Sequence, residues 1–324
     1  MADSQSVRAE QYLAPETLVQ LAPFELRAKM IVEGVMSGMH RSPYQGMAVE
    51  FAQHRQYVAG DDPKHLDWKV FGRSDKLYIK QYQQETNLDI ILLVDASASM
   101  SYGTLTVKKD WGGTTASRAR KLWTKFDHAT ATAVGLAYLC LHQQDRVGVC
   151  VYADELKTMI RRSSARSQWR SIVNTLSTEP VEEKTNLVKV TEQVLGKINN
   201  RALFFILSDL FDDPENIRQS LARFKHRGHD VVLIHTMDKQ ELEFDFAQPA
   251  PFLGLEGEGR VRVDPRALRD AYLEAVHEHV DKVTKAARGF GFDYVRLNTH
   301  ESVGPTLAYL LARRNAQSKR SKTG

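Results

Sequence analysis

The 324-residue sequence predicts an α/β protein with a doubly wound, mostly parallel sheet and an N-terminal α+β lobe, and three observations carry that reading. From Leu88 onward, apolar runs of strand length alternate with longer stretches of helical period, the order that builds a parallel sheet with helices on its faces. The runs are continuous rather than alternating, as in strands covered on both sides. Helix start and stop residues stand between them: Pro214 and Gly228 bracket one helix, and Asp264 with Pro265 opens another that ends near Gly289.

In chain order, Met1 to Thr86 reads as the lobe. "PETLVQLAPFELRAKMIVEGVM" offers Leu18, Leu21, Phe24, Leu26 and Ile31 to an apolar helix face. Two strand-like runs follow, "AVEFAQHRQYV" and "KLYIKQYQQE", separated by "AGDDPKHLDWKVFGRSD", which is rich in turn formers at its start and end. The main domain then runs over 87–315. "LDIILLV" is its first buried strand, "FDHATATAVGLAYLCLHQQ" a helix, "DRVGVCVYA" a second central strand and "ELKTMIRR" an edge strand. "RSQWRSIVNTLST" and "TNLVKVTEQVLGKIN" are amphipathic helices, "RALFFILSDL" the next buried strand, and "HDVVLIHTM" another. "APFLGLEGEGRVRVD" reads as a hairpin with a Gly-rich turn. "FDYVRLN" and a helix starting near Ser302 close the domain, and 316–324 is a basic tail.

Composition narrows the function classes. Hydrophobic residues make up 42% and charged residues 26%, enough apolar side chains for a sizeable core. The net charge of +4 comes without a basic stripe interleaved with aromatics, which argues against a nucleic-acid partner. No run approaches the roughly 18 apolar residues of a membrane span, and the N-terminus lacks a signal-peptide pattern, so a cytoplasmic location is expected. Cys140 and Cys150 sit in apolar runs and read as small buried hydrophobes, with neither disulfide nor zinc spacing. His277 and His279 lie two apart on a helix, do not face each other, and are expected to be exposed.

Function is expected where strands end, because open α/β sheets bind ligands beyond the carboxyl ends of their strands. Asp95, Ser97 and Ser99 follow the first strand in "LLVDASASM", Thr185 lies in "EEKTNL", and Asp209 directly follows "LFFILS". All five side chains offer oxygen, the donor set of a hard cation, Mg2+ before Mn2+ or Ca2+. Period-two spacing in an extended loop would turn both serines to the side of Asp95. Two carboxylates would balance a divalent ion, and a position left open would favour a carboxylate from a partner. Each residue also has a plainer use: the Asp and Ser residues as caps of a turn, Thr185 or Asn186 as a helix cap, and Asp212 and Asp213 as charges at a helix start.

At these residues the sequence resembles the metal-ion-dependent adhesion site of von Willebrand factor A domains, Asp-x-Ser-x-Ser with a distant Thr and a distant Asp. The resemblance implies that Ser97 and Ser99 bind the ion directly, Thr185 directly or through water, and the aspartates often through water. It also implies that an acidic residue of a protein partner fills the remaining position. Upstream, Gly60-Asp61-Asp62-Pro63-Lys64, Asp67-Trp68 and Gly72-Arg73 are similar to the hallmark of the bacterial family known as domain of unknown function fifty-eight. Lys64 and Gly72 are mild departures from that pattern, and the match runs from roughly Gly38 to Leu207. Because genes of that family commonly neighbour those of MoxR-type AAA+ ATPases, the resemblance implies an adaptor or chaperone-like accessory of such an ATPase.

"GDDPKHLDW" gathers Asp61, Asp62, His65 and Asp67; a structural or lobe-docking use, with Asp67 hydrogen-bonded and the Trp68 indole packed, is expected ahead of a partner contact or a catalytic role. The long loop "SYGTLTVKKDWGGTTASR" carries Trp111, which fits either a partner contact or a cover for the lobe. No catalytic set is recognised, so the expectation is a binding module and not an enzyme. The alternative from another class is a Mg2+-dependent phosphoester hydrolase, disfavoured by Asp-x-Ser in place of Asp-x-Asp and by the lack of an assisting lysine motif.

Overall fold

The computed structural model describes residues 49–58, 66–84, 88–106, 121–142, 144–165, 167–177, 183–246, 250–255, 259–301 and 303. These fall into two compact units, divided between Gln84 and Leu88. The expected helix around Leu18 to Ile31, the Gly60–His65 stretch, Trp111, most of the helix after Ser302 and the basic tail lie outside the described residues.

In the first unit, β1 (Val49–Gln56) pairs antiparallel with β2 (Tyr78–Gln84), the two strand-like runs of the sequence. Between them stands α1 (Trp68–Ser74), a helix where the sequence suggested only a turn-rich link. Asp67 starts it, accepting from the amides of Lys69 at 3.0 Å and Val70 at 3.3 Å, so its carboxylate is a helix cap. The expected packing of the neighbouring indole is corrected: Trp68 is 64% exposed, its ring edge-on to Phe71.

The second unit is built on β3 (Asp89–Asp95). A short 3-10 turn follows at Ala98–Ser101, then a two-residue ribbon of β4 (Leu105–Thr106) and β5 (Leu122–Trp123). Next come α2 (Lys125–His142), β6 (Arg146–Tyr152), β7 (Leu156–Ser163), α3 (Gln168–Leu176) and α4 (Leu187–Leu195). The second half holds β8 (Leu203–Ser208), α5 (Pro214–His226), β9 (Asp230–Met237) and α6 (Lys239–Glu243). The antiparallel pair β10 (Ala250–Leu253) and β11 (Arg260–Val263) precedes α7 (Pro265–Gly289) and β12 (Asp293–Asn298).

The six-stranded sheet runs β12-β9-β8-β3-β6-β7. All its pairings are parallel except that of β7, the antiparallel edge strand expected from "ELKTMIRR". Alternate residues of each strand face opposite sides. Ile90, Leu92 and Val94 pack with Phe126, Val134 and Ile172 from α2 and α3. Ile91 and Leu93 pack with Val190, Leu221 and Val283 from α4, α5 and α7 on the other face. The α/β, mostly parallel sheet with helices on both faces is therefore the architecture read from the sequence. Cys150 is buried, Cys140 partly so, and both are free thiols.

Candidate metal centre

Because β3 and β8 are adjacent and parallel, with Val94 beside Leu207, their carboxyl ends bring Asp95 and Ser208–Asp209 side by side at the middle of the sheet. The turn after β3 does the rest. Asp95 Oδ1 accepts the Ser97 amide at 2.9 Å, which folds the chain back at once. The following residues are not extended, as period-two spacing suggested, but wind into the 3-10 turn. Ser97 and Ser99 still converge, with their Oγ atoms 3.0 Å apart, because the turn brings alternate hydroxyls together. Ser97 makes no side-chain cap at that turn, so the capping use weighed for it is not the one the structure has.

The other two loops arrive as the sequence suggested. Thr185 Oγ1 donates to Asp95 Oδ2 at 3.1 Å, while its neighbour Asn186 caps α4 by accepting from Lys189 N at 3.0 Å. The Ser99 hydroxyl stands near enough to Asp209 to help lower its carboxyl. All five sequence-selected residues thus belong to one connected cluster. Asp95, Ser97, Ser99 and Asp209 are buried, and Thr185 is half-buried. Asp213 caps α5 through Glu215 N at 2.8 Å, and Asp212 binds Asn216 Nδ2 at 2.9 Å, both as helix-start acids.

Four residues join the cluster that sequence reasoning did not select. Ser208 Oγ donates to Asp95 Oδ2 at 2.6 Å. Tyr152, fully buried at the end of β6, lies against Ser208 and Asp95. Lys125 Nζ sits 2.7 Å from Asp209 Oδ2 and 2.6 Å from Glu241 Oε1, with only 4% of its side chain exposed. Their contacts span 84 and 116 residues of chain, so no local spacing announces them. Lys125 belongs to no local motif and enters the cluster only through these long-range contacts. His279, expected to be exposed, is half-buried with Nε2 3.0 Å from the Leu210 carbonyl, whereas His277 is exposed. The left-handed φ of Leu210, 51°, marks where the chain turns sharply after Asp209.

The electrostatics of the cluster favour an added cation. Burial, then the Asp209 charge, push the Asp95 carboxyl up to about 7 against the hydrogen bonds from Ser208 and Ser97. Burial also works against an ionised Asp209, but the Lys125 ammonium and the Ser99 hydrogen bond outweigh it and hold that carboxyl below its ordinary value. Burial raises Glu241. With three carboxylates ionised against one ammonium, the group carries two uncompensated negative charges, set among the hydroxyls of Ser97, Ser99, Thr185 and Ser208. That donor set fits a hard divalent ion. Among the described residues no three His, Cys, Asp or Glu side chains cluster with metal-holding geometry, so the serine and threonine oxygens are indispensable to such a site.

Comparison with known proteins gives one family. The description "Protein of unknown function DUF58" matches residues 53–282. Uncharacterized proteins of Mycobacterium bovis and Mycobacterium tuberculosis are each 26% identical over 291 residues, covering 88% of this chain and 86% of theirs. Among solved structures, the conserved hypothetical protein BatB from Bacteroides thetaiotaomicron aligns at 12% identity and a TM-score of 0.46, covering 71% of this chain and 100% of its own. The SpRpn10 VWA domain aligns at 9% and 0.35, over 68% and 94%.

Proposed function

The chain belongs to the DUF58 family, and from that premise we propose that it is a metal-dependent protein-binding module, an adaptor or chaperone-like accessory of a MoxR-type AAA+ ATPase. The observation that carries this reading is the convergence of Asp95, Ser97, Ser99, Thr185 and Asp209 from three loops at the strand ends. Those residues would hold Mg2+, or Mn2+ or Ca2+, and the bound ion would supply an electrophilic point for a partner carboxylate. Thr185, half-buried, lies at the outward side of the cluster. Phe211, 59% exposed two residues beyond Asp209, adds an apolar contact beside it. The module is read as cytoplasmic and non-catalytic. Among the described residues no helix is long and apolar enough to cross a membrane.

The test is capture of a purified MoxR-type ATPase on the immobilised chain, with Mg2+ and with chelator, alongside a Mg2+ titration by calorimetry. Asp95→Ala is expected to lose both cation binding and capture while melting cooperatively. Mg2+-dependent capture that survives in Asp95→Ala overturns the reading.

One observation favours a second reading, a Mg2+-dependent phosphoester hydrolase: Lys125 places an ammonium beside Asp209. Against it, both oxygens of Asp95, the candidate nucleophile, already accept hydrogen bonds, from Ser97 N on one side and Ser208 and Thr185 on the other. Turnover of generic phosphoesters with Mg2+ that is abolished in Asp95→Asn selects this reading over the first.

A further inference from the structure

Lys125 occupies a place that local rules disfavour. It is the first residue of α2, where the positive end of the helix dipole repels a cation. It is also nearly inaccessible to water, which penalises its charge. The helix start is fixed independently by Thr124 and Asp127: Thr124 N donates to Asp127 Oδ2 at 2.9 Å, and Asp127 N donates to Thr124 Oγ1 at 3.1 Å. Lys125 is not needed for that cap. A residue that breaks two local preferences at a helix start is kept there by its partners across the fold and not by the helix.

Its partners say what the constraint is. The ammonium lies between two carboxylates, Asp209 on one side and Glu241 on the other. Asp209 is one of the five oxygen donors. Glu241 is not, and it is held by a separate set of contacts, with Oε2 accepting Asp238 N at 2.8 Å in the capping box of α6. Asp238 is in turn pinned by Thr104 Oγ1 at 2.6 Å and Thr299 Oγ1 at 2.7 Å. Glu241 is therefore a fixed second berth for the ammonium.

We propose that Lys125 is an internal competitor for the divalent cation, its ammonium occupying Asp209 in the free protein and retreating to Glu241 when a cation binds. The inference rests on the metal-binding reading of the same cluster. The pair sets cation affinity from within: Lys125 lowers it by holding a ligand and adding positive charge, and Glu241 raises it by keeping the ammonium when Asp209 turns to the ion.

The experiment is a Mg2+ titration of the full chain by calorimetry, with thermal melts in Mg2+ and in chelator as a second readout. Lys125→Met is expected to bind Mg2+ about tenfold tighter or more, and Glu241→Gln to bind it several-fold more weakly. Lys125→Met/Glu241→Gln, from which both charges leave together, is expected to fall between them and still exceed wild type. It decides the matter if the single lysine variant does not fold. Wild type that binds while the lysine variants bind no tighter overturns this inference and leaves the metal reading standing. Absence of binding in wild type and in every variant overturns both. Binding that appears only in the lysine variants supports the competition in its strongest form.

Discussion

Asp145, at the opposite end of the sheet from the cluster, shows what burial does to a carboxyl. Its Oδ1 accepts Leu88 N at 3.0 Å, its Oδ2 has no partner, and the residue is 3% exposed. Burial first, then the nearby Asp89 charge, raise its carboxyl to about 7 despite the Leu88 bond. A folded-state value above that of the unfolded chain means a stabilising contribution that is complete below about pH 4 and lost as pH rises through about 7. Asp145→Asn keeps the acceptor and removes the charge, so urea unfolding at pH 8 should show a gain of roughly 1–3 kcal/mol that shrinks as pH falls and vanishes near pH 4. A variant less stable than wild type at pH 8 would contradict the burial argument. The same chemistry explains what was legible in the sequence at this scale. Asp95, Ser97 and Ser99 stand within five residues, and Asp209 abuts an unmistakable strand. Thr185 was marked only by the loop it sits in. Lys125 and Glu241 gave no sign, because their role exists only in contacts made across 84 and 116 residues. Trp68 was misread because an Asp-Trp pair looks like an anchor, whereas only its Asp is tied down, as a cap.

Among elements, the strands were the most legible, since a parallel strand covered on both faces must be apolar throughout. The short pieces were hidden. The 3-10 turn at Ala98–Ser101, the five-residue α6 and the β4–β5 ribbon are too brief to show a period, and they form because of what they meet. Gly103 is the clearest case. A Cβ there would lie 2.1 Å from the Trp123 carbonyl oxygen and 2.6 Å from Thr124 Cα, both rigid backbone. Absence of a side chain lets the segment entering the long loop lie flat on the segment leaving it, and Lys125 N then reaches Tyr102 O at 2.8 Å. The glycine thus lets the backbone just before α2 close on Tyr102, beside the cap that Thr124 and Asp127 make. Gly103→Ala must force these backbones apart, with an expected loss of about 2–4 kcal/mol in urea unfolding. A loss within about 0.5 kcal/mol would show that the ribbon adapts.

At the scale of the whole molecule, the sheet concentrates unlike demands at its centre. Packing on both faces excludes water from the strand ends, and it is this exclusion that makes the negative cluster costly. Asp95 has a folded-state value of about 7, raised by burial and then by Asp209, so its share of stability is present at low pH and is lost as pH rises through neutrality. On the proposed reading, a divalent cation held by the cluster would reverse that loss, because it would favour the ionised form and bind the folded chain. Below about pH 7 the cation must displace a proton, and apparent Mg2+ affinity should rise by up to tenfold per pH unit until Asp95 is ionised, then level off. At a fixed millimolar Mg2+ concentration, the rise in Tm over a chelator control should therefore be small at pH 5.5 and grow to a plateau near pH 7.5. Saturation at a hundred times Kd corresponds to about 2.7 kcal/mol. Asp95→Asn, which has no proton to displace and one charge fewer, should lose the effect at every pH. A Mg2+ shift that is flat across this range, or larger at pH 5.5, would place the cation somewhere other than beside Asp95.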